Sequence, residues 1–240
     1  MSTRTQPARP VLARCPVVPV VVLDDPEHAV PLGEALLAGG IDVVEITLRT
    51  PAGIEAVRRL AATPGLQVGA GSVLVAEQVD RVVDAGAEFI VSPGLSRAVV
   101  ERARALDVPA LPAVATGSEL MTAVELGLTE VKFFPAGLLG GPAAITALAA
   151  PFPGMSFMPS GGVNPTTMTD YLALQAVPAV SGSWMVEPGL LRNGQWSEVT
   201  ARSTDAMTTA RNHSSVCPSS TGADRAPATT GTAASTSPRS

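Results

Sequence analysis

Eight short runs with strand character punctuate the first 200 or so residues, and a longer stretch with helical spacing follows each one. The runs span residues 17–23, 42–48, 67–70, 88–91, 108–111, 131–134, 156–158 and 179–181. Between them, apolar positions recur at three- and four-residue intervals and stop at glycine or proline. This predicts helices over 26–38, from Pro51 to Pro64, and over 76–85, 96–106, 118–126, 143–150, 165–174 and 196–211. Strand–helix alternation of this length argues for parallel strands with right-handed crossovers. A count of eight favours a closed (β/α)8 TIM barrel over an open doubly wound sheet. One domain over residues 15–211 is the expectation.

Composition sharpens that picture. Hydrophobic residues make up 46% of the chain but aromatics only 3%. The core must therefore be built from Ala, Val and Leu, which suits a parallel sheet covered by helices. Residues 1–14 read as an arm or a short leading helix. In 212–240, 12 of 29 residues are Ser or Thr and Val216 is the one large aliphatic side chain, so this tail is expected to be disordered. Net charge is −5, and no cluster of basic residues marks a nucleic-acid or anionic-membrane face. No apolar run approaches membrane-spanning length. Arg4, Arg9 and Arg14 precede Pro16 without a signal-peptide core. Cys15 and Cys217 lie far apart with no metal-ligand spacing. A soluble, cytoplasmic protein with no disulfide framework, metal site or cofactor is expected.

Against 15 arginines the chain has one lysine, Lys132, set in an apolar run between Val131 and Phe133-Phe134. Arginine holds charge and clamps anions but does not lose its proton and attack carbon. A buried lysine amine can do that; the plainer reading is a stem that lines the core while its head reaches solvent. In the second strand, alternation separates Glu45, Thr47 and Arg49 from the apolar set Val44, Ile46 and Leu48. The first set should point into the barrel or cap its mouth, where barrel active sites lie. A carboxylate inside a barrel is costly unless paired or employed. Glu45 is thus either a structural partner of Arg49 or a proton shuttle beside an arginine that receives a substrate carboxylate. By the same parity Lys132 faces inward with Phe134. Ser72, after Gly69-Ala70-Gly71, offers a hydroxyl to such a carboxylate. Pro93-Gly94 and Pro135 stiffen the mouths of strands four and six.

Two glycine-rich loops follow strands seven and eight: Ser160-Gly161-Gly162 and Gly182-Ser183. In this barrel type those loops form the usual phosphate site, from backbone N–H groups and a helix N-terminus. Either alone is an ordinary turn; the two together point to phosphate. His28 on a helix and His213 in the tail are suited neither to acid–base work nor to metal ligation.

With these residues assembled, the chain from Cys15 to Arg211 resembles the 2-keto-3-deoxy-6-phosphogluconate (KDPG) and 4-hydroxy-2-oxoglutarate (KHG) aldolases. The resemblance rests on Val-Val-Glu-Ile-Thr-Leu-Arg-Thr (43–50), Gly-Ala-Gly-Ser (69–72), Val-Ser-Pro-Gly-Leu (91–95), Val-Lys-Phe-Phe-Pro-Ala (131–136), Pro-Ser-Gly-Gly-Val (159–163) and Gly-Ser-Trp (182–184). It implies a Schiff-base role for Lys132, proton transfer for Glu45 and pyruvate binding by Arg49, with Ser72 and Pro93 beside it. Ser72 and Ser160 stand where the family usually has threonine, and residues 136–141 and 113–117 match its pattern poorly. The resemblance further implies a class I aldolase acting on a phosphorylated 2-oxo acid and a homotrimer. Two other readings compete: a sugar-phosphate isomerase or synthase that uses Lys132 as a cation, and a non-catalytic phosphometabolite-binding protein.

Overall fold

The computed structural model describes residues 11–213. Its eight strands are β1 (Val17–Val21), β2 (Val43–Thr47), β3 (Gln67–Gly71), β4 (Phe89–Ser92), β5 (Ala110–Val114), β6 (Glu130–Phe133), β7 (Ser156–Pro159) and β8 (Val180–Gly182). All pairings are parallel, in the order β7-β6-β5-β4-β3-β2-β1-β8. The ends of that order meet across a seam. There the Phe157 N–H donates to Ala176 O at 2.7 Å and Ser181 Oγ to Pro159 O at 3.4 Å. The result is a nearly closed (β/α)8 barrel.

The helices are α1 (Ala29–Ala38), α2 (Gly53–Ala61), α3 (Ala76–Asp84), α4 (Arg97–Ala105), α5 (Gly117–Glu125), α6 (Gly141–Ala149), α7 (Met168–Leu172), α8 (Pro188–Arg192) and α9 (Trp196–His213). Local chemistry explains their limits. Ser96 Oγ caps α4 by accepting the Val99 N–H, and Thr116 with Glu119 forms a capping box on α5. Outward strand residues Val44, Ile46, Val68, Ala70, Val131 and Phe133 are fully buried beneath the helices, as two-sided burial of a parallel sheet requires.

Several boundaries differ from the sequence reading. β5 starts two residues later than expected and runs through Pro112, because the Val108 N–H is taken by Ala103 O in closing α4. α7 is shorter, because Asn164 Oδ1 accepts the N–H groups of Thr166 and Thr167 and so occupies the stretch read as its first turn. The five-residue α8 was not anticipated. Of the segment read as an arm, Val11 and Leu12 are buried, and Asn212 and His213 belong to α9. Residues 1–10 and 214–240 lie outside the described residues.

Val11 and Leu12 enter the N-terminal end of the barrel, where their N–H groups donate to the Glu130 carboxylate at 3.0 and 3.4 Å. Burial pushes the Glu130 carboxyl above its usual range, and the two N–H groups pull it part of the way back. A carboxyl that holds its proton more tightly when folded adds stability at low pH and loses it as pH rises through the raised value. Paired thermal melts of wild type and Glu130→Gln should therefore favour wild type most at about pH 4, the gap shrinking as pH rises above the ordinary glutamate range.

Candidate active site

β2 and β6 stand on opposite sides of the barrel, and one side chain from each crosses the interior to meet the other. Lys132 Nζ lies 3.1 Å from Glu45 Oε1 and 3.0 Å from Oε2. Glu45 is 1% exposed and Lys132 6%. Such a pair survives burial only because each charge has its counter-charge at hydrogen-bond distance. The Phe134 ring, centred 5.7 Å from Nζ, adds a cation–π contact and an apolar wall. Ala113 of β5 and Met158 of β7, the register partners of Lys132, offer it no competing charge.

Both residues fall on the face that strand parity assigns them. The Glu45–Arg49 pair considered from sequence is not formed: Glu45 turns to Lys132 instead. Arg49, exposed just beyond β2, donates from Nε to Ser72 Oγ at 3.3 Å. Ser72 holds a left-handed backbone, φ 58°, uncommon for a residue with a side chain. That turn carries its hydroxyl to the mouth beside Arg49. Thr47 takes no part, since its Oγ1 donates to Val21 O at 2.8 Å and pins β2 to β1. Pro93 is exposed at the same end of the barrel, after β4. Its turn is held by Ser92, whose buried Oγ donates to Gly94 O at 2.7 Å, a residue the sequence reading placed in the turn without a role of its own.

The two glycine-rich loops lie at this same face. Ser160 is buried, and the loop that follows is tied to the end of β6 by Ala136 N–H to Ser160 O (2.7 Å) and Gly137 N–H to Gly161 O (2.9 Å). Gly161 and Gly162 have φ of 84° and 85°, so only glycine suits them without strain. Among the described residues, nothing accepts from the N–H groups of Gly161 and Gly162. After β8, the Trp184 ring lies so close against Gly182 that a Cβ there would sit 2.1 Å from it. Ser183, between them in sequence, is exposed.

Away from this face, His28 stacks edge-on against Trp196, centroids 5.5 Å apart, a packing role. Among the described residues no group of three or more His, Cys, Asp or Glu is placed to hold a metal ion, and no helix is long and apolar enough to cross a membrane.

An amine held against its own base inside a barrel is equipped to add to a carbonyl and expel water, which is Schiff-base chemistry. The molecule is a barrel lyase of that class. Residues 9–202 match the profile of the aldolases described as KDPG and KHG aldolase, and the chain belongs to that family. It is 43% identical over 201 residues to the KHG/KDPG aldolase of Escherichia coli, spanning 83% of this chain and 94% of that protein. The KDPG aldolase of Legionella pneumophila, solved with pyruvate captured at low pH as a covalent carbinolamine intermediate, is 42% identical. It aligns with a TM-score of 0.80 over 85% of this chain and 98% of its own. The enzyme of Zymomonas mobilis, solved with 3-phosphoglycerate, gives a TM-score of 0.79 at 40% identity, over 82% and 93% of the two chains.

Proposed function

We propose that the protein is a class I aldolase that cleaves 2-dehydro-3-deoxy-6-phosphogluconate to pyruvate and glyceraldehyde 3-phosphate, and also 4-hydroxy-2-oxoglutarate to pyruvate and glyoxylate. The observation that carries it is the single lysine of the chain, buried and bonded to both oxygens of Glu45. Glu45 takes a proton from Nζ, and the neutral amine adds to the C2 ketone of the substrate. Glu45 hands that proton to the departing hydroxyl, and loss of water leaves a protonated imine, the electron sink for the next step, with Glu45 again a carboxylate. A base removes the proton from the C4 hydroxyl, the C3–C4 bond breaks, and its electron pair flows into the imine as the aldehyde departs. Glu45, directly or through a water, is that base, and it returns the proton to C3 of the remaining enamine. Hydrolysis then frees pyruvate and restores Lys132. No cofactor enters these steps.

Arg49 with Ser72 holds the C1 carboxylate, with Pro93 beside them. Ser160, Gly161, Gly162, Gly182 and Ser183 hold the far phosphate through backbone N–H groups and hydroxyls. The Zymomonas mobilis relative, solved with 3-phosphoglycerate, supports a phosphorylated carboxylate as the kind of ligand taken. Likeness to the family supports a homotrimer working in the cytoplasm; a sedimentation mass other than three chains would overturn that assembly.

Pyruvate with borohydride tests the chemistry. One three-carbon adduct is expected at Lys132 by peptide mass mapping, and none in a folded Lys132→Arg variant. An isomerase, a synthase or a binding protein gives no adduct. An adduct mapped elsewhere, the N-terminal amine included, overturns the assignment.

A further inference from the structure

Glu45 reaches Lys132 by crossing bare backbone, and we infer that Gly71 is the positioning residue that keeps this path open. The inference rests on the aldolase reading and adds to it a residue that touches neither substrate nor nucleophile. In the β2–β3 ladder Glu45 stands opposite Gly69 and Thr47 opposite Gly71. The Glu45 side chain leans along the strand direction toward the mouth and comes to lie over Gly71. A Cβ on Gly71 would sit 2.2 Å from Oε1, 2.6 Å from Cγ and 2.8 Å from Cδ of Glu45. The whole outer half of the side chain is in the way, not its tip alone.

Neither chain can easily give. The Leu48 N–H donates to Gly71 O at 2.8 Å, which clamps the end of β3 against β2. Glu45 is held from the other side by two bonds to Lys132. Nor does the backbone of Gly71 demand glycine: it ends a strand and is absent from the positive-φ positions. What the position requires is space. Gly69, on the same face of β3, works the same way, since a Cβ there would meet the Phe89 ring at 2.2 Å. At the levels of Gly69 and Gly71 β3 thus sends no side chain into the barrel, and these two vacancies are filled by Phe89 from β4 and Glu45 from β2. An alanine at 71 must swing the carboxylate off Nζ.

A kinetic cycle tests this. Gly71→Ala is expected to lower kcat by about a hundredfold, toward the level of Glu45→Gln, while KM stays within a few-fold and the pyruvate–borohydride adduct still forms at Lys132. Added to Glu45→Gln, the same substitution should change kcat by less than about twofold, because the group it displaces no longer transfers protons. If the two losses multiply instead, Gly71 serves packing alone and the inference fails. Wild-type-like kcat in Gly71→Ala, with the adduct present, also sinks it and leaves the aldolase reading standing. Absence of the adduct in wild type sinks the aldolase reading itself. Should Gly71→Ala melt too low to assay, the coupling is read from stability. In a Glu45→Ala background, which vacates the space, Gly71→Ala is expected to cause no further fall in melting temperature, and an undiminished fall overturns the assignment.

Discussion

Glu45→Gln is expected to keep imine formation with pyruvate and to lose turnover by about 10²–10⁴-fold, the usual range for removing a positioned acid–base group. The amide keeps the length of the side chain and one acceptor for the Lys132 Nζ, so the nucleophile stays where the parent holds it, 3.0–3.1 Å away. What is lost is a group that takes the Nζ proton, accepts one from the C4 hydroxyl and returns one to the enamine, so the imine forms more slowly but is still captured by prolonged borohydride trapping. Steady-state kinetics beside borohydride trapping separates these effects: adduct formed, cleavage slow. The variant should also melt lower, since taking the counter-charge from a buried ammonium typically costs about 3–5 kcal/mol, which calls for assays well below its melting transition. Turnover within a few-fold of the parent would return Glu45 to a purely structural ion pair.

Much of this site was legible in the sequence because its two central residues break a pattern. Lys132 is the sole lysine and stands in an apolar run, and Glu45 is the one carboxylate on the inward parity of its strand. Alternation reports which face a residue takes, and both were placed correctly. It does not report which inward side chains meet. That depends on how strands stagger around the barrel and on which of them leave room, so the Glu45–Lys132 bond, and with it the dismissal of a Glu45–Arg49 pair, appeared only in three dimensions. Gly71 was read as part of a motif, and its use as vacant space could not be seen without Glu45 lying over it. The left-handed turn at Ser72 leaves no trace in a serine's identity. Ser92 was hidden for a related reason: a hydroxyl that closes its own turn looks in sequence like any other turn residue. The barrel itself was recoverable because every strand is buried on both faces and every crossover is helical. The shifted β5 and the unanticipated α8 lie where prolines gave misleading punctuation, Pro112 inside a strand and Pro188 opening a short helix.

The phosphate loops carry the second large expected effect, and it decides which substrate the enzyme serves. If the loops after β7 and β8 bind phosphate, their interaction energy is available to the phosphorylated sugar acid and not to 4-hydroxy-2-oxoglutarate, which has no group to place there. Ser183 suits the test: it is exposed, and only its backbone carbonyl is engaged, by the Val186 N–H at 3.0 Å. Ser183→Ala should therefore leave the loop standing and remove one hydroxyl donor. A charge-assisted hydrogen bond is worth roughly 1.5–3 kcal/mol, so kcat/KM for the phosphorylated substrate should fall about ten- to a hundredfold. Cleavage of 4-hydroxy-2-oxoglutarate should stay within about twofold of the parent by the same reasoning. A larger residue at Gly162 should produce a deeper but less selective loss. Its φ of 85° disfavours any side chain, and a Cβ there would lie 3.3 Å from Gly137 Cα in the loop that carries on from Lys132. Strain at that point reaches the nucleophile's own strand, so both substrates should suffer, the phosphorylated one more. Equal losses on the two substrates for Ser183→Ala would mean that the loops only shape the mouth of the barrel, and the unphosphorylated hydroxy-oxo acid would then be the better candidate for the natural substrate.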